Sequence, residues 1–293
     1  MRARAGGWGL AAASMSLAVA TAHAQVVTDG SLGLAADLRG PDFYVAPTLG
    51  QMRGGNLFHS FSTFNINSQQ SVWFDGAPGL VNIVARVTGN APSIIDGLVR
   101  ASANFYLLNP RGILFGANAA VDVAGSLHAS TADYIRFANG ERFHASLGTA
   151  SSLSIATPVA FGFVDGIVAP ITATGSVLVG AAGSALTFTG GAVTLDDTLL
   201  SVEQGTIAVV GVRSAGEVVL AGDSFDTSSF TAMGDVRMRG SLVNVFDEES
   251  TSVYIRGGRF VLEDASLVTA TTTRSGLAPV SYTHLTLPTN REV

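Results

Sequence analysis

Three groups of residues in this sequence could do chemistry. The first is acidic: Asp196-Asp197, Glu263-Asp264 and the run Asp247-Glu248-Glu249. Paired carboxylates that line a groove can cleave glycosidic bonds by acid–base work. The sequence has no Lys to act as a base and lacks the Gly-His-Gly and Arg-x-Lys elements of β-helical pectin-degrading hydrolases, so solvated loop charges are the better reading. The second group is histidine. His23 and His284 lie in terminal segments set aside below, and His59, His128 and His144 are scattered without ligand spacing. That pattern favours structural or solvent-facing roles over a metal site. Neither metal nor cofactor is expected, and Trp73 and Phe74 are read as packing under a cap rather than stacking on sugar.

The third group is Asn109-Pro110-Arg111-Gly112, followed by Ile113. Its chemistry is conformational. Asn in first place hydrogen-bonds the turn, Pro in second fixes φ, and Gly in fourth relieves crowding, as a type I turn asks. The turn joins two apolar runs, 105–108 and 113–115.

Those runs belong to a chain written in short strands. Period-2 alternation or β-branched runs bounded by Gly, Asn, Asp or Pro recur at 80–87, 105–108, 113–115, 176–179, 185–188, 206–210 and 253–255. No window of a dozen residues holds a capped helical stripe, and the best candidate, 130–137, is barely two turns long. In the second half, Gly-Ser or Gly-Gly repeatedly opens a brief apolar run: Gly175-Ser176, Gly183-Ser184, Gly190-Gly191, Gly240-Ser241 and Gly257-Gly258. The spacing is irregular. A small-residue corner followed by an aliphatic run is what each coil of a β-solenoid needs, and it favours a solenoid over an antiparallel sandwich.

Composition agrees. Charged residues are 13%, about half the usual share of ~25%. Without Arg2, Arg4, Arg291 and Glu292, the 16 basic and 22 acidic residues become 13 and 21, a net charge of −8 for the remaining chain. All the basic residues are Arg and none cluster, which argues against nucleic acid or an anionic membrane as partner. The absence of Cys excludes disulfides and thiolate metal sites.

The ends read as segments outside the fold. Arg2 and Arg4, the apolar stretch 9–20 and Ala22-His23-Ala24 make a secretory signal, with cleavage expected between Ala24 and Gln25. Residues 280–293 lose the Gly-rich texture and are expected to be an adaptor-derived, non-native tail, so that the natural chain continues beyond 279 with further repeats.

The order and spacing of several blocks carry an identity. They are Leu49-Gly50-Gln51-Met52-Arg53-Gly54-Gly55-Asn56-Leu57-Phe58-His59, then Asn82-Ile83-Val84-Ala85-Arg86-Val87-Thr88-Gly89, then 104–119 around the Asn109 turn, and Ala129-Ser130-Thr131-Ala132-Asp133. Together they resemble the filamentous haemagglutinin N-terminal domain, the two-partner secretion domain. The resemblance implies an all-β fold: a right-handed parallel β-helix with an N-terminal cap and extra antiparallel strands, its core at 25–165 and continuing repeats at 166–279. It implies a secretion motif at Asn109, Pro110, Arg111, Gly112 and Ile113, with Arg111 where the family motif has Asn, and a secondary family motif at Gly55, Asn56, Leu57, Phe58 and His59. The implied route is Sec to the periplasm, then across the outer membrane through a β-barrel transporter whose POTRA domains recognise this domain, by β-augmentation among other modes. The implied product is a secreted or surface-bound, non-enzymatic adhesin of filamentous-haemagglutinin type, which meets host or neighbouring cells through a C-terminal region beyond this chain. The alternatives are a secreted β-helical carbohydrate-active enzyme and a structural surface protein.

Overall fold

A computed structural model describes residues 25–221, 224–247, 251–272 and 280–285. Arg2, Arg4, Ala22, His23 and Ala24, which are expected to belong to a secretory signal, lie outside the described residues together with Glu248, Glu249 and 286–293. Among the described residues there is no α-helix, only one 3-10 turn at Pro47–Leu49.

The chain winds into a three-faced parallel β-helix. On the first face Asn56–Phe64, Asn82–Val87, Asn104–Leu108, Leu127–Ser130, Ala185–Gly190, Thr206–Gly211 and the first half of Ser252–Glu263 stack in parallel. The second face stacks Ser93–Ile95, Ile113–Phe115, Ile171–Thr174, Val193–Asp196, Val236–Arg239 and the second half of Ser252–Glu263. The third stacks Asp42–Val45, Ser71–Phe74, Leu98–Ala101 and Ala120–Val123, then Val177–Gly180, Leu199–Glu203, Leu242–Asp247 and Leu267–Thr272. The same three faces run on either side of residue 165.

Inward residues align from coil to coil. One row on the first face reads Leu57, Ile83, Phe105, Leu127, Leu186, Ile207 and Val253, all buried. Each such side chain contributes roughly 1.5–3 kcal/mol by leaving water. The N-terminal end is plugged by Phe61, Phe64, Phe74 and Phe105, with Phe74 and Phe105 ring centroids 4.6 Å apart. It is closed by Val26–Thr28 and Gln51–Arg53, which pair antiparallel with the two halves of Asn56–Phe64. A long first strand that would otherwise be an open edge is thereby covered. Trp73 does not share this plug: Phe74 is buried in it, whereas Trp73 points out of the third face at 46% exposure, because neighbours in a strand face opposite ways.

Two excursions leave the helix where the first face turns into the second. The first contributes Tyr134–Phe137, Arg142–His144 and Pro158–Phe163, and the second Gly216–Ala221 and Ser224–Asp226; together they form one antiparallel sheet. The sheet lies over the outside of the first face and encloses a second core around Phe58, Tyr106, Ile135, Phe137, Phe143, Phe161, Val210 and Val218. Residues 130–137, the best helical window in the sequence, thus end one first-face strand and begin the first excursion.

Backbone crowding fixes where the corners fall. A Cβ on Gly234 would lie 2.0 Å from the carbonyl oxygen of Gly191, and one on Gly191 would lie 2.2 Å from that of Val168. Only Gly lets successive coils approach this closely. Residues 280–285 pair in parallel with the first half of Ser252–Glu263, where a next coil would lie. This pairing is made by backbone groups and does not bear on the origin of the tail.

Candidate functional site

The Asn109 turn is the first corner of the coil that begins at Asn104. It does not reverse the chain: Asn104–Leu108 and Ile113–Phe115 belong to different faces and do not pair with each other. The Gly112 N–H donates to the Asn109 carbonyl at 3.1 Å, and Gly112 has φ +116, where any other residue would be strained. The Asn109 side chain is fully buried and uses both ends. Its Oδ1 accepts from the Arg111 N–H at 2.9 Å, while its Nδ2 donates to Ser93 Oγ at 3.0 Å and to the Ala91 carbonyl at 3.2 Å in the preceding coil. Its backbone N–H donates to Ser130 in the coil that follows. Asn109 therefore ties three coils at one corner, a larger task than starting a turn.

The tip of the turn faces outward. Pro110 is half-buried, and Arg111 is exposed with one long bond, Nη2 to Asn90 Oδ1 at 3.3 Å. Beside the tip runs a groove of about 390 Å³, with Val87, Thr88, Gly89, Pro110 and Arg111 on the helix side. Asp133, Ala145, Ser146, Asp165 and Ile167 of the first excursion form the other wall. Burial raises the Asp133 carboxyl above its ordinary range, against the pull of the Val164 N–H.

The excursion wall is held by a buried arginine. Arg86 lies on the outer side of the first face, 3% exposed, with its guanidinium over the Phe143 ring at 4.6 Å. Its Nε donates to Ser60 Oγ at 2.7 Å, Nη1 to the His144 carbonyl at 2.6 Å and Nη2 to Ser31 Oγ at 3.0 Å. Asp29 accepts from Ser60 and Thr88 in the same network. Burial pushes the Asp29 carboxyl up, but the hydrogen bonds of Ser60, Ser31 and Thr88 outweigh it and leave it below the ordinary value. Arg86 thus clamps the N-terminal segment, the coil and the excursion that lines the groove. Arg86→Met should lower the free energy of unfolding by about 3 kcal/mol, read from the urea midpoint, because the excursion loses its clamp and Asp29 its counter-charge. Arg86→Lys should fall between the two, since one ammonium cannot serve three directions.

The residues of the second motif do different work. Asn56, Asn82 and Asn104 stack in register and form a ladder: Asn104 Nδ2 donates to Asn82 Oδ1 at 3.0 Å and Asn82 Nδ2 to Asn56 Oδ1 at 2.8 Å. Asn56 Nδ2 then donates to the carbonyls of Ser154 and Ala156 and straps down the end of the first excursion. Gly55 sits at the corner before this strand, Leu57 in the inner core, and Phe58 in the outer core against Phe137 and Phe143. His59 points inward with neither ring nitrogen hydrogen-bonded, packed edge-on against Phe74. Of the residues expected to matter, Pro110 and Arg111 line the groove, Asn109 is buried behind them, Gly112 forms the corner and Ile113 points into the inner core, while 55–59 lie at the cap and under the excursion. Gln25 accepts the Asn65 N–H through its carbonyl.

The expected chemical groups lie elsewhere and apart. Asp196 is paired with Arg239 at 3.2 Å, and Glu263 with Arg237, on the outward side of the second face. Asp197 and Asp264 occupy left-handed corner positions, φ 47 and 50. His128 stacks on Tyr106 and His144 flanks Tyr134; no three His, Asp or Glu converge among the described residues.

A family model described as the TPS secretion domain matches residues 24–258. This chain belongs to the TPS, or two-partner secretion, domain family. The crystal structure of the HMW1 secretion domain from Haemophilus influenzae is similar in fold, with a TM-score of 0.50 at 16% identity over 82% of this chain. The match spans 64% of the length of that domain. A search of curated protein sequences finds no match.

The TPS domain residues that sequence reasoning missed are Asp29, Arg86, Asp133 and Asp165. One signal was legible: Arg86 interrupts the run Asn82-Ile83-Val84-Ala85-Arg86-Val87, and a charge inside a strand with no polar alternation must find partners in the interior. Asp133 and Asp165 left no such mark, because their nearness depends on how the excursion folds back.

Proposed function

We propose that this domain directs export of a larger, non-enzymatic exoprotein of filamentous-haemagglutinin type. In this reading the POTRA domains of an outer-membrane β-barrel transporter recognise it in the periplasm after Sec export, and the product reaches the surface or the medium. Its adhesive contact with other cells resides beyond this chain. The observation that carries the reading is the family match over 24–258, joined to the position of the tip of the Asn109 turn, Pro110 and Arg111, along a groove. The corner is rigid behind and exposed at its tip, which is what a recognition element requires. The non-enzymatic part is supported by the second-face carboxylates, which are held by Arg237 and Arg239 rather than facing each other across a cleft.

The test is export itself. Expressed with its cognate transporter, the chain should appear in the medium at least tenfold above the level reached without it, measured by immunoblot of medium and periplasm. Equal release in both cases would refute the proposal.

A further inference from the structure

The groove beside the turn has a chemistry of its own. Its two carboxylates, Asp133 and Asp165, each spend one oxygen on the excursion backbone: Asp133 Oδ2 accepts the Val164 N–H at 2.8 Å and Asp165 Oδ1 the Ile167 N–H at 2.9 Å. Among the described residues no cation lies within ion-pair distance of either, as is true of most carboxylates outside the six ion pairs made by Asp122, Asp196, Glu217, Asp235 and Glu263. His144 and, on the opposite wall, Arg111 pull on Asp133 only through space, and Arg111 turns its guanidinium to Asn90. Of the lining residues Ile167 is apolar and 93% exposed, and Leu147 at 56% and Val164 at 59% are exposed chain neighbours of the lining residues Ser146 and Asp165. An aliphatic side chain almost wholly in water beside two carboxylates without a counter-ion offers a ligand both apolar and ionic contact.

We propose that this groove binds an extended basic peptide segment, with an Arg or Lys head between Asp133 and Asp165 and aliphatic neighbours against Ile167, Val164 and Leu147. The charge complementarity is set by the two unpaired carboxylates, in a segment of the chain that is acidic overall. Pro110, half-buried on the helix side, offers an apolar face to the stem of the basic side chain. Desolvation already raises the Asp133 carboxyl, and an incoming cation would relieve that cost. If the proposed function holds, the segment belongs to the periplasmic part of the transporter. The inference rests on that reading for the identity of the partner but not for the binding.

The experiment titrates the isotope-labelled chain with acetyl-Val-Arg-Val-amide and with the same peptide carrying citrulline, which keeps the shape of Arg but not its charge. The reporters are the amides of Val164 and Ile167, which donate to the two carboxylates. Saturable shifts are expected with the Arg peptide, with at least tenfold weaker affinity for citrulline and for the double variant Asp133→Asn, Asp165→Asn. The Asn side chains retain an acceptor for each amide, so the fold is kept. Equal affinity for both peptides, or shifts unchanged in the double variant, would overturn the inference. Peptide binding together with export that needs no transporter would leave the groove standing and overturn the proposed function instead.

Discussion

Asn109→Ile should be the most damaging single substitution at the candidate site, costing about 3 kcal/mol of stability and abolishing export. Taken as a turn starter alone, Asn109 would be worth one local hydrogen bond, about 1 kcal/mol. The structure gives its side chain three: from Arg111 N–H, to Ser93 Oγ and to the Ala91 carbonyl. Ile cannot replace any of them, and it strands the buried Ser93 hydroxyl in a corner from which water is excluded. The axial tie between the coil before and the coil of the turn is lost with them. Export should fail for a second reason: the backbone of the tip and Pro110 are presented by this corner, and a loose corner misplaces them along the groove. Urea unfolding and immunoblots of medium and periplasm check the two halves separately. Arg111→Ala is the matched control. Its side chain makes only one long bond to Asn90, so stability and export should both stay near wild type.

How much of this was legible beforehand differs from face to face. The second and third faces are solvated outside, and their strands alternate: Val177–Gly180 and Val193–Asp196 show buried and open positions in turn. The first face is covered on both sides, and Thr206–Gly211 and Asn82–Val87 are buried at every position. Such strands read as unbroken apolar runs, so their faces cannot be told apart by pattern. The Gly-Ser and Gly-Gly signals were real, but they mix three kinds of corner. Gly190-Gly191 and Gly257-Gly258 turn the first face into the second, Gly175-Ser176 and Gly240-Ser241 turn the second into the third, and Gly183-Ser184 turns the third into the first. The coil period is further stretched by the excursions: Asn82 and Asn104, on adjacent coils, are 22 residues apart, while His128 and Thr187, also adjacent, are 59 apart. Irregular spacing in the sequence therefore hid a regular column of corners. The groove was not legible, since one of its walls is built by the first of these excursions.

Acid should destabilise the domain by on the order of 5 kcal/mol or more between pH 7.5 and pH 4, through two histidines buried without charge. His59 lies inside the helix with Phe61 and Phe74, and burial takes its imidazole down to about 4, the Leu49 carbonyl pulling only weakly the other way. His128 lies between the first face and the covering sheet, stacked 4.3 Å from Tyr106 with Nδ1 2.8 Å from Thr187 Oγ1, and burial takes it down to about 3. Both fall from an ordinary value of 6.5. In the unfolded chain they take up protons as the pH drops through that value, while in the folded chain they stay neutral. The unfolded state then binds more protons, so stability is full above about pH 6.5 and declines as the pH falls through 4 and 3. Asp29, held below its ordinary value, adds in the same direction at lower pH. General acid expansion would give a similar curve, so the variants must discriminate. His59→Met removes a group that has no hydrogen-bond partner from an aromatic plug, and should flatten the decline by about half while costing little at pH 7.5. His128→Gln can still meet Thr187 and should flatten much of the remainder. Urea midpoints across the pH range measure both, and a decline of unchanged steepness in the double variant would place the acid sensitivity elsewhere.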